Sequence, residues 1–292
     1  MSERWVTIFS QHVCELGEGP SYDAVRNRLF WFDIVNRKLL EKAWPDGETR
    51  IHELPEMASA IALIDADRQM LFTETGLWIR HEADGRLELH CEIEADNPDT
   101  RSNDARVHPS GAFWLGTMGK SAQDKAGAIY WHLGGEVRRI YPSVSIPNSI
   151  CFSPDGRVAY FTDSREGILY SVECDPSNGL PRGKPRPLVD RRGVRGGIDG
   201  SVTDLEGNIW NAYWGGGSLD CYAPDGRLLE SVAIPARQSS CPAFVGPNAD
   251  RLVVTSAWQG MDEMERSADP EAGKTFLVDI KIQGKPEPKA SL

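Results

Sequence analysis

A hairpin pattern that recurs six times along the 292 residues most restricts how this chain can fold. Each copy has two β-prone runs joined by a short turn rich in Pro, Asp, Asn and Gly, which indicates a β-hairpin. The clearest copy extends from Phe152 to Asp163. When the copies are aligned, the second runs share one apolar column, formed by Trp31, Phe72, Leu115, Phe161, Ala212 and Val254.

The spacing of this column favours a β-propeller. Its members are separated by 41, 43, 46, 51 and 42 residues, and such a period is typical of propeller blades with four short strands. The sequence therefore predicts an all-β fold, a six-bladed β-propeller with four-stranded blades that forms a single domain over residues 1–292. A β-sandwich is the rival all-β fold, but a sandwich does not require six similar units.

The two ends of the repeat suggest how the ring closes. Val6 to Phe9 reads as an extra strand before the first blade, and Thr275 to Ile280 reads as a late strand in an incomplete last blade. We predict that the N-terminal strand completes the last blade, because this leaves no open sheet edge between the two ends. The tail from Gly284 to Leu292 is expected to be frayed.

The charge balance argues against nucleic acid as a partner. The chain has 32 Lys and Arg against 43 Asp and Glu, a net charge of −11, whereas nucleic-acid binding requires a basic surface. The sequence predicts no signal peptide, and no segment approaches the roughly 18 apolar residues of a membrane-spanning helix. The six cysteines are scattered without a CxxC pair. We therefore expect a cytoplasmic protein with reduced thiols, no membrane partner, and a monomeric or weakly self-associating state.

Polar residues recur at one register of the predicted inner strands, where each strand enters the central channel. The position thirteen residues before the apolar column holds a carboxylate or amide oxygen in three blades. Such groups converging near the axis call for a compensating cation, and oxygen ligands favour a hard divalent ion. The alternative is a channel that holds ordered water only. The residues at this register are Glu18, Ser59, Ser102, Asn148, Asp199 and Cys241, and blade three adds Asn103 and Asp104 one or two positions later.

All of these residues except Ser59 and Cys241 lie in stretches that resemble the SMP-30/gluconolactonase/luciferin-regenerating-enzyme family, also called the regucalcin family. The stretches follow the family's order over nearly the whole chain. The resemblance implies a six-bladed propeller with one divalent metal ion, Ca²⁺ first and otherwise Zn²⁺, Mn²⁺ or Mg²⁺, and a sugar lactone as the substrate. The stretches are Leu16–Pro20, Leu29–Asp33, Arg101–Asp104, Gly116–Met118, Ile146–Ser149, Phe152–Gly156, Phe161–Asp163, Gly197–Gly200, Gly207–Trp210 and Val254–Ala257.

Carried over residue by residue, the resemblance assigns roles to the polar residues at the channel. Arg101 and Asn103 match positions that contact the substrate. Asp104 matches a residue that supports the ligands from behind or adds to the site. The metal ligands implied by the resemblance are Glu18, Asn148 and Asp199.

One position departs from the family pattern. Some members carry an acidic pair after the Gly-Thr-Met motif that helps to hold the sugar, whereas this chain has Gly119, Lys120 and Ser121 there. A cation near the channel entrance favours a lactone with a second carboxylate, from a uronic or aldaric acid, over a neutral aldonolactone. Lys120 is therefore a candidate substrate-binding residue, and the alternative is an exposed loop lysine.

The activity that the resemblance implies is metal-assisted hydrolysis of a cyclic ester. The ion polarises the lactone carbonyl and lowers the pKa of a bound water, and Asp199 is the candidate general base. Two alternatives remain: a non-catalytic calcium-binding or scaffold propeller, and a hydrolase of other esters such as organophosphates. A serine hydrolase and a zinc protease are disfavoured, because the chain has neither a Gly-x-Ser-x-Gly nor a His-Glu-x-x-His motif.

Overall fold

The computed structural model describes residues 6–292, which fold almost entirely into β-strands. A single short helix, α1 (Glu263–Ala268), lies between the last two strands of this part of the chain. The strands in chain order are β1 (Val6–Ser10), β2 (Gly17–Asp23), β3 (Arg28–Asp33), β4 (Lys38–Ala43), β5 (Thr49–Glu53), β6 (Ala58–Leu63), β7 (Arg68–Thr73), β8 (Gly76–His81), β9 (Leu87–Glu92), β10 (Thr100–Val107), β11 (Phe113–Gly119), β12 (Gly127–Leu133), β13 (Glu136–Val144), β14 (Pro147–Phe152), β15 (Val158–Asp163), β16 (Ile168–Cys174), β17 (Pro181–Asp190), β18 (Gly197–Thr203), β19 (Ile209–Trp214), β20 (Ser218–Tyr222), β21 (Leu228–Ala233), β22 (Ser239–Val245), β23 (Arg251–Ser256) and β24 (Thr275–Val278).

The strands pair into six antiparallel sheets of four, and each sheet is one blade. Blades one to five each consist of four consecutive strands, from β2–β5 to β18–β21. The inner strand of each blade contacts the inner strands of both neighbouring blades, so that β2, β6, β10, β14, β18 and β22 form a closed ring around a central channel. The predicted six-bladed propeller is therefore confirmed.

The sixth blade joins the two ends of the ring. Its strand order is β22, β23, β24 and then β1, and Val6 of β1 lies opposite Val278 of β24. The predicted closure by the N-terminal strand is confirmed. This pairing satisfies the backbone groups of β24 that would otherwise form an open edge.

The apolar column of the sequence lies on the second strand of each blade and is buried throughout. Neighbouring blades pack through these residues. Trp114 of blade three, for example, meets Phe152 and Phe161 of blade four with ring centroids 5.3 and 6.3 Å apart. Burial of each large side chain contributes roughly 2–3 kcal/mol, so the repeated column adds to the apolar contacts that hold the blades around the channel.

The C-terminal tail is ordered against the ring, and the expectation of a frayed segment at Gly284–Leu292 is wrong. The Ala290 amide donates to the carbonyl oxygen of Leu63 at 2.8 Å. The carboxylate of Glu287 pairs with Arg106 at 2.7 Å inside the channel. The tail thus covers the channel at the end where the inner strands finish, because long-range contacts outweigh its Pro-rich and charged composition.

The structure also bears on the membrane and thiol predictions. No helix within residues 6–292 is long and apolar enough to span a membrane. All six cysteines lie within the same range, and none of them is joined in a disulfide there. Cys151 and Cys241 are buried on the inner strands β14 and β22, where they pack as small apolar groups.

Candidate metal and substrate site

A β-bulge interrupts every inner strand close to the predicted register. At each bulge the inner strand has one residue more than its partner strand. Glu18 and Asn148 directly precede the bulges of β2 and β14, whereas Asp199 lies inside the bulge of β18. A bulge re-aims side chains away from the regular pleat, and here three strands direct an oxygen donor into the same cavity.

Gly19 allows the bulge beside Glu18 to form. Its φ of +56° is a left-handed conformation that favours glycine, and a Cβ at this position would collide with the carbonyl oxygen of Ser59 in the next blade. The Gly19 amide donates to Glu18 Oε2 at 3.0 Å. Close approach of β2 and β6 and the orientation of Glu18 therefore both depend on this glycine.

We expect Gly19→Ala to lower the free energy of unfolding by at least about 3 kcal/mol, because left-handed strain adds to a backbone collision. Gly183→Ala is the matched control, since Gly183 has a φ of +80° but a Cβ there meets nothing within 4 Å. Its expected loss is only about 1–2 kcal/mol. Urea unfolding of both variants measures the difference, and equal losses would contradict the close packing against Ser59.

The predicted ligands line one cavity of about 230 Å³ at the end of the channel where the inner strands begin. This site cavity is small compared with pockets for drug-sized ligands and suits a molecule of monosaccharide size. Met118, Ile198 and Trp214 contribute to its wall. The sequence-predicted residues that it brings together are Glu18, Arg101, Asn103, Asn148 and Asp199.

Burial raises the pKa values of the two carboxyl groups that line the site cavity, those of Glu18 and Asp199. Desolvation raises the pKa of Glu18, and the charge of Asp104 raises it further. Desolvation followed by repulsion from Glu18 raises the pKa of Asp199 well above its ordinary value. Arg101 opposes both shifts in part. Burial in turn lowers the pKa of Arg101 to about 10, so that its guanidinium stays charged at neutral pH.

A chain of hydrogen bonds orients the polar side chains between these charges. Arg101 Nη1 donates to Asn103 Oδ1 at 2.9 Å, and Asn103 Nδ2 donates to Asn148 Oδ1 at 2.9 Å. Asn148 Nδ2 then donates to Ser164 Oγ at 2.9 Å, and the Ser164 hydroxyl donates to the Ile198 carbonyl at 2.6 Å. Asn148 Oδ1 keeps a second lone pair for a ligand.

Asp104 lies behind the site cavity and is buried. Its Oδ2 accepts a hydrogen bond from the Ile150 amide at 2.7 Å. Burial raises the pKa of Asp104 to about 6, although the charge of Arg106 opposes this. Asp104 therefore influences the cavity through its charge and through its hydrogen bond to β14, and its supporting role stays a prediction.

The donor set fits a hard divalent cation. Glu18 and Asp199 offer carboxylate oxygens, and Asn148 offers an amide oxygen, which is the ligand chemistry of Ca²⁺, Mg²⁺ and Mn²⁺. Burial and repulsion between neighbouring carboxylates raise the pKa values of both groups, and Arg101 opposes only part of this shift. A divalent ion held by these three residues would oppose the rest.

Comparison with known proteins identifies the family. Residues 16–258 match the family described as SMP-30/Gluconolactonase/LRE-like region. The chain belongs to this family. A relative from Rhizobium meliloti (strain 1021), named a sugar lactone lactonase, is 48% identical over 96% of this chain and 95% of its own length.

Two further relatives extend the comparison. An L-arabinolactonase from Azospirillum brasilense is 33% identical over 92% of this chain and 90% of its own length. The crystal structure of a calcium-binding regucalcin from Agrobacterium tumefaciens str. C58 superposes with a TM-score of 0.96 and 44% identity, covering 99% of this chain and 97% of that one. Each of these two proteins aligns with at least 92% of this chain.

Lys120, the departure from the SMP-30/gluconolactonase pattern, lies outside the wall of the site cavity. Its ammonium group pairs with Glu74 Oε2 at 2.5 Å. The Met57 amide donates to the other carboxylate oxygen of Glu74 at 3.0 Å. Despite desolvation, these partners lower the pKa of Glu74, so Lys120 faces a carboxylate of its own chain. Its assignment as a substrate-binding residue remains a prediction.

Three residues near the site were missed in the sequence. Ser164 and Trp214 line the site cavity, and Glu74 pairs with Lys120. All three follow the apolar column by two or three positions, in blades four, five and two. This spacing places them where the second strand of each blade ends, at the same end of the channel as the start of the inner strand. The column therefore carried a signal for them too.

Proposed function

We propose that this protein hydrolyses the ring ester of sugar lactones with a divalent ion held by Glu18, Asn148 and Asp199. The observation that carries the proposal is the convergence of these three oxygen donors with Arg101 in one cavity. The relatives named sugar lactone lactonase and L-arabinolactonase support the reaction type. The regucalcin described as calcium-binding supports Ca²⁺ as the first ion to test.

The proposed chemistry divides between the ion and the side chains. A divalent ion, when bound, polarises the lactone carbonyl and lowers the pKa of water. Asp199, whose carboxyl pKa is raised by burial, takes a proton from water as the water oxygen attacks the carbonyl carbon. The ring carbon–oxygen bond then breaks, and the departing sugar oxygen receives the proton that Asp199 took from water, which restores the Asp199 carboxylate. The product is the open-chain sugar acid.

Arg101 and Asn103 bind and orient the substrate in this proposal. Arg101 brings a positive charge into the cavity wall, where it can offset negative charge that develops on the carbonyl oxygen. Asn103 is held by Arg101 on one side and by Asn148 and the Pro147 carbonyl on the other. Such a fixed amide can position a sugar hydroxyl without reorganisation during the reaction.

A hydrolysis assay on chelator-treated protein tests the proposed function. We expect no turnover without metal and restored turnover with Ca²⁺ on gluconolactone, galactonolactone or arabinonolactone, measured with a pH indicator. Binding of Ca²⁺ without turnover of any lactone would instead support a scaffold propeller. Turnover of organophosphates but not of lactones would support the other ester hydrolase.

The pairing of Lys120 with Glu74 favours neutral lactones over lactones that carry a second carboxylate. A substrate carboxylate would compete with Glu74 for the ammonium group, so we expect glucarolactone to be no better a substrate than gluconolactone. We also expect Lys120→Met to change the ratio of the two kcat/KM values by less than about threefold, as for a paired, partly exposed charge. A large loss specific to glucarolactone would restore Lys120 as a substrate contact.

The stability conferred by the metal should depend on pH. In the metal-free folded protein the pKa values of Glu18 and Asp199 lie above the value of about 4 in an unfolded chain. Their contribution to stability is therefore complete below about pH 4 and is lost as pH rises through the folded pKa values. A cation reverses this loss, so we expect Ca²⁺ to raise Tm more at about pH 8 than at about pH 5.5. A Glu18→Gln variant should show a smaller difference, and an equal rise at both pH values in the wild type would contradict the argument.

A further inference from the structure

Two histidines and a cysteine meet between blades two and three, away from the site cavity. His90 and Cys91 lie on β9, the outer strand of blade two, and His132 lies on β12 of blade three. The Nε2 atoms of the two histidines are 3.0 Å apart. One ligand atom from each of the three residues lies within 4.8 Å of the others. This His–Cys–His cluster joins two blades that share no strand.

A bulge in β9 allows the side chains of both His90 and Cys91 to lie near His132. Neighbouring residues in a regular strand point to opposite faces of the sheet. In β9 the pairing shifts so that Cys91 lies opposite Leu77 and Leu89 opposite Trp78, which leaves His90 as the extra residue. A bulge re-aims the side chain that it inserts. Both side chains can therefore approach the same residue of blade three.

The protonation states in the cluster suit metal ligation. His132 is fully buried, and burial together with His90 lowers its pKa to about 4, so its ring is neutral at physiological pH. Burial also lowers the pKa of His90. Within residues 6–292, His132 Nδ1 has no hydrogen-bond partner, so the ring proton can sit on Nδ1 and leave the Nε2 lone pair directed at His90.

We propose that His90, Cys91 and His132 form a second metal site, which binds Zn²⁺ and links blade two to blade three. Two imidazole nitrogens and a sulfur are the donors that Zn²⁺ prefers, and three protein ligands leave a fourth tetrahedral position for water. The distance between the imidazole nitrogens is close to the roughly 3.3 Å expected for two nitrogens on one tetrahedral Zn²⁺. On binding, the Cys91 thiol loses its proton to solvent as the Zn–S bond forms.

Another cluster of similar composition serves a different purpose. His12, Cys14 and Asp33 also lie within 4.8 Å of one another. However, both carboxylate oxygens of Asp33 already accept backbone hydrogen bonds, from the Glu15 and Leu16 amides at 3.1 Å. Asp33 thereby fixes the loop that leads into β2. In the His–Cys–His cluster, Cys91 is half-buried and forms no disulfide within residues 6–292, and its thiol has one backbone hydrogen bond, with Leu77.

Cobalt spectroscopy tests the second site independently of the proposed function. Co²⁺ bound to a thiolate gives an intense sulfur-to-cobalt charge-transfer absorption in the near ultraviolet, whereas the residues that line the site cavity include no cysteine. We expect chelator-treated protein to develop this absorption on titration with Co²⁺. Cys91→Ser should abolish it, and the matched control Cys14→Ser should retain it. Asp199→Asn should retain it as well.

Zinc affinity provides the quantitative readout. Competition with a chromophoric chelator measures the Zn²⁺ affinity of the His–Cys–His cluster. His90→Ala and Cys91→Ser should each weaken this affinity by at least about tenfold, since even residues that only support a ligand change metal affinity by this factor. Lactone hydrolysis with Ca²⁺ should stay unchanged in both variants. Absence of the thiolate absorption in the wild type, or its persistence in Cys91→Ser, would overturn the proposal and leave the histidines as a hydrogen-bonded pair.

Discussion

Asp199→Asn is expected to reduce kcat/KM for sugar-lactone hydrolysis by at least about a thousandfold, the middle of the range of about a hundredfold to ten-thousandfold for loss of a general base. The amide cannot accept a proton at neutral pH, and the ligand set loses one negative charge. The fold should persist, because the contacts of Asp199 with Ser149 and Asn211 go through its main-chain carbonyl and not through its carboxylate. Steady-state rates at saturating Ca²⁺ measure the loss apart from weakened ion binding.

Asp104→Asn is the matched control for this prediction. It makes the same chemical change in a buried carboxyl group that lies behind the site cavity and holds the Ile150 amide. Loss of such a supporting group is expected to cost about 10–100-fold. If Asp199→Asn remained within about tenfold of the wild type while folded and metal-saturated, Asp199 could not be the base.

The sequence predicted the fold because the fold repeats. Each blade encodes the same hairpin, so six weak signals reinforce one another, and the column from Trp31 to Val254 marks the second strand of every blade. Ring closure followed from counting strands at the two ends. The pairing of β1 with β24 confirmed it.

The same repeat located the site only to within about one residue. Counting back thirteen positions reached Glu18 and Asn148 just before their bulges, but Asp199 inside its own. In blade three the offset residue Asn103 lines the site cavity, whereas Asp104 lies behind it. A bulge is a local departure from the pleat that the residue pattern does not reveal, and it decides which side chain enters the channel.

Contacts between residues far apart in the chain were beyond the reach of the sequence. The residues around Lys120 in the sequence do not indicate that its ammonium group pairs with Glu74, which belongs to another blade. The composition of the C-terminal tail resembles that of mobile termini and predicts a frayed end. What orders it is a set of individual contacts, such as the hydrogen bonds from Lys285 Nζ to the Phe152 carbonyl and to Thr203 Oγ1, both at 2.9 Å.

Glu287→Ala tests the importance of the tail and should be strongly destabilising. Glu287 pairs at 2.7 Å with Arg106, and the two side chains are only 17% and 10% exposed. Removing Glu287 leaves the buried Arg106 charge without its direct ion-pair partner, at a cost of about 3 kcal/mol. For a chain of this size we expect Tm to fall by roughly 6–10 °C. Thermal unfolding monitored by circular dichroism measures the change.

The controls for Glu287→Ala separate the ion pair from the tail as a whole. Lys289→Ala alters an exposed residue two positions away and should change the free energy of unfolding by less than about 0.5 kcal/mol. Glu287→Gln keeps a hydrogen-bond acceptor without the charge and should give an intermediate loss. Because Glu287 lies at the opposite end of the channel from Asp199, kcat/KM per folded molecule should change far less than in Asp199→Asn. A stable Glu287→Ala protein would show that Arg106 needs no counter-ion there.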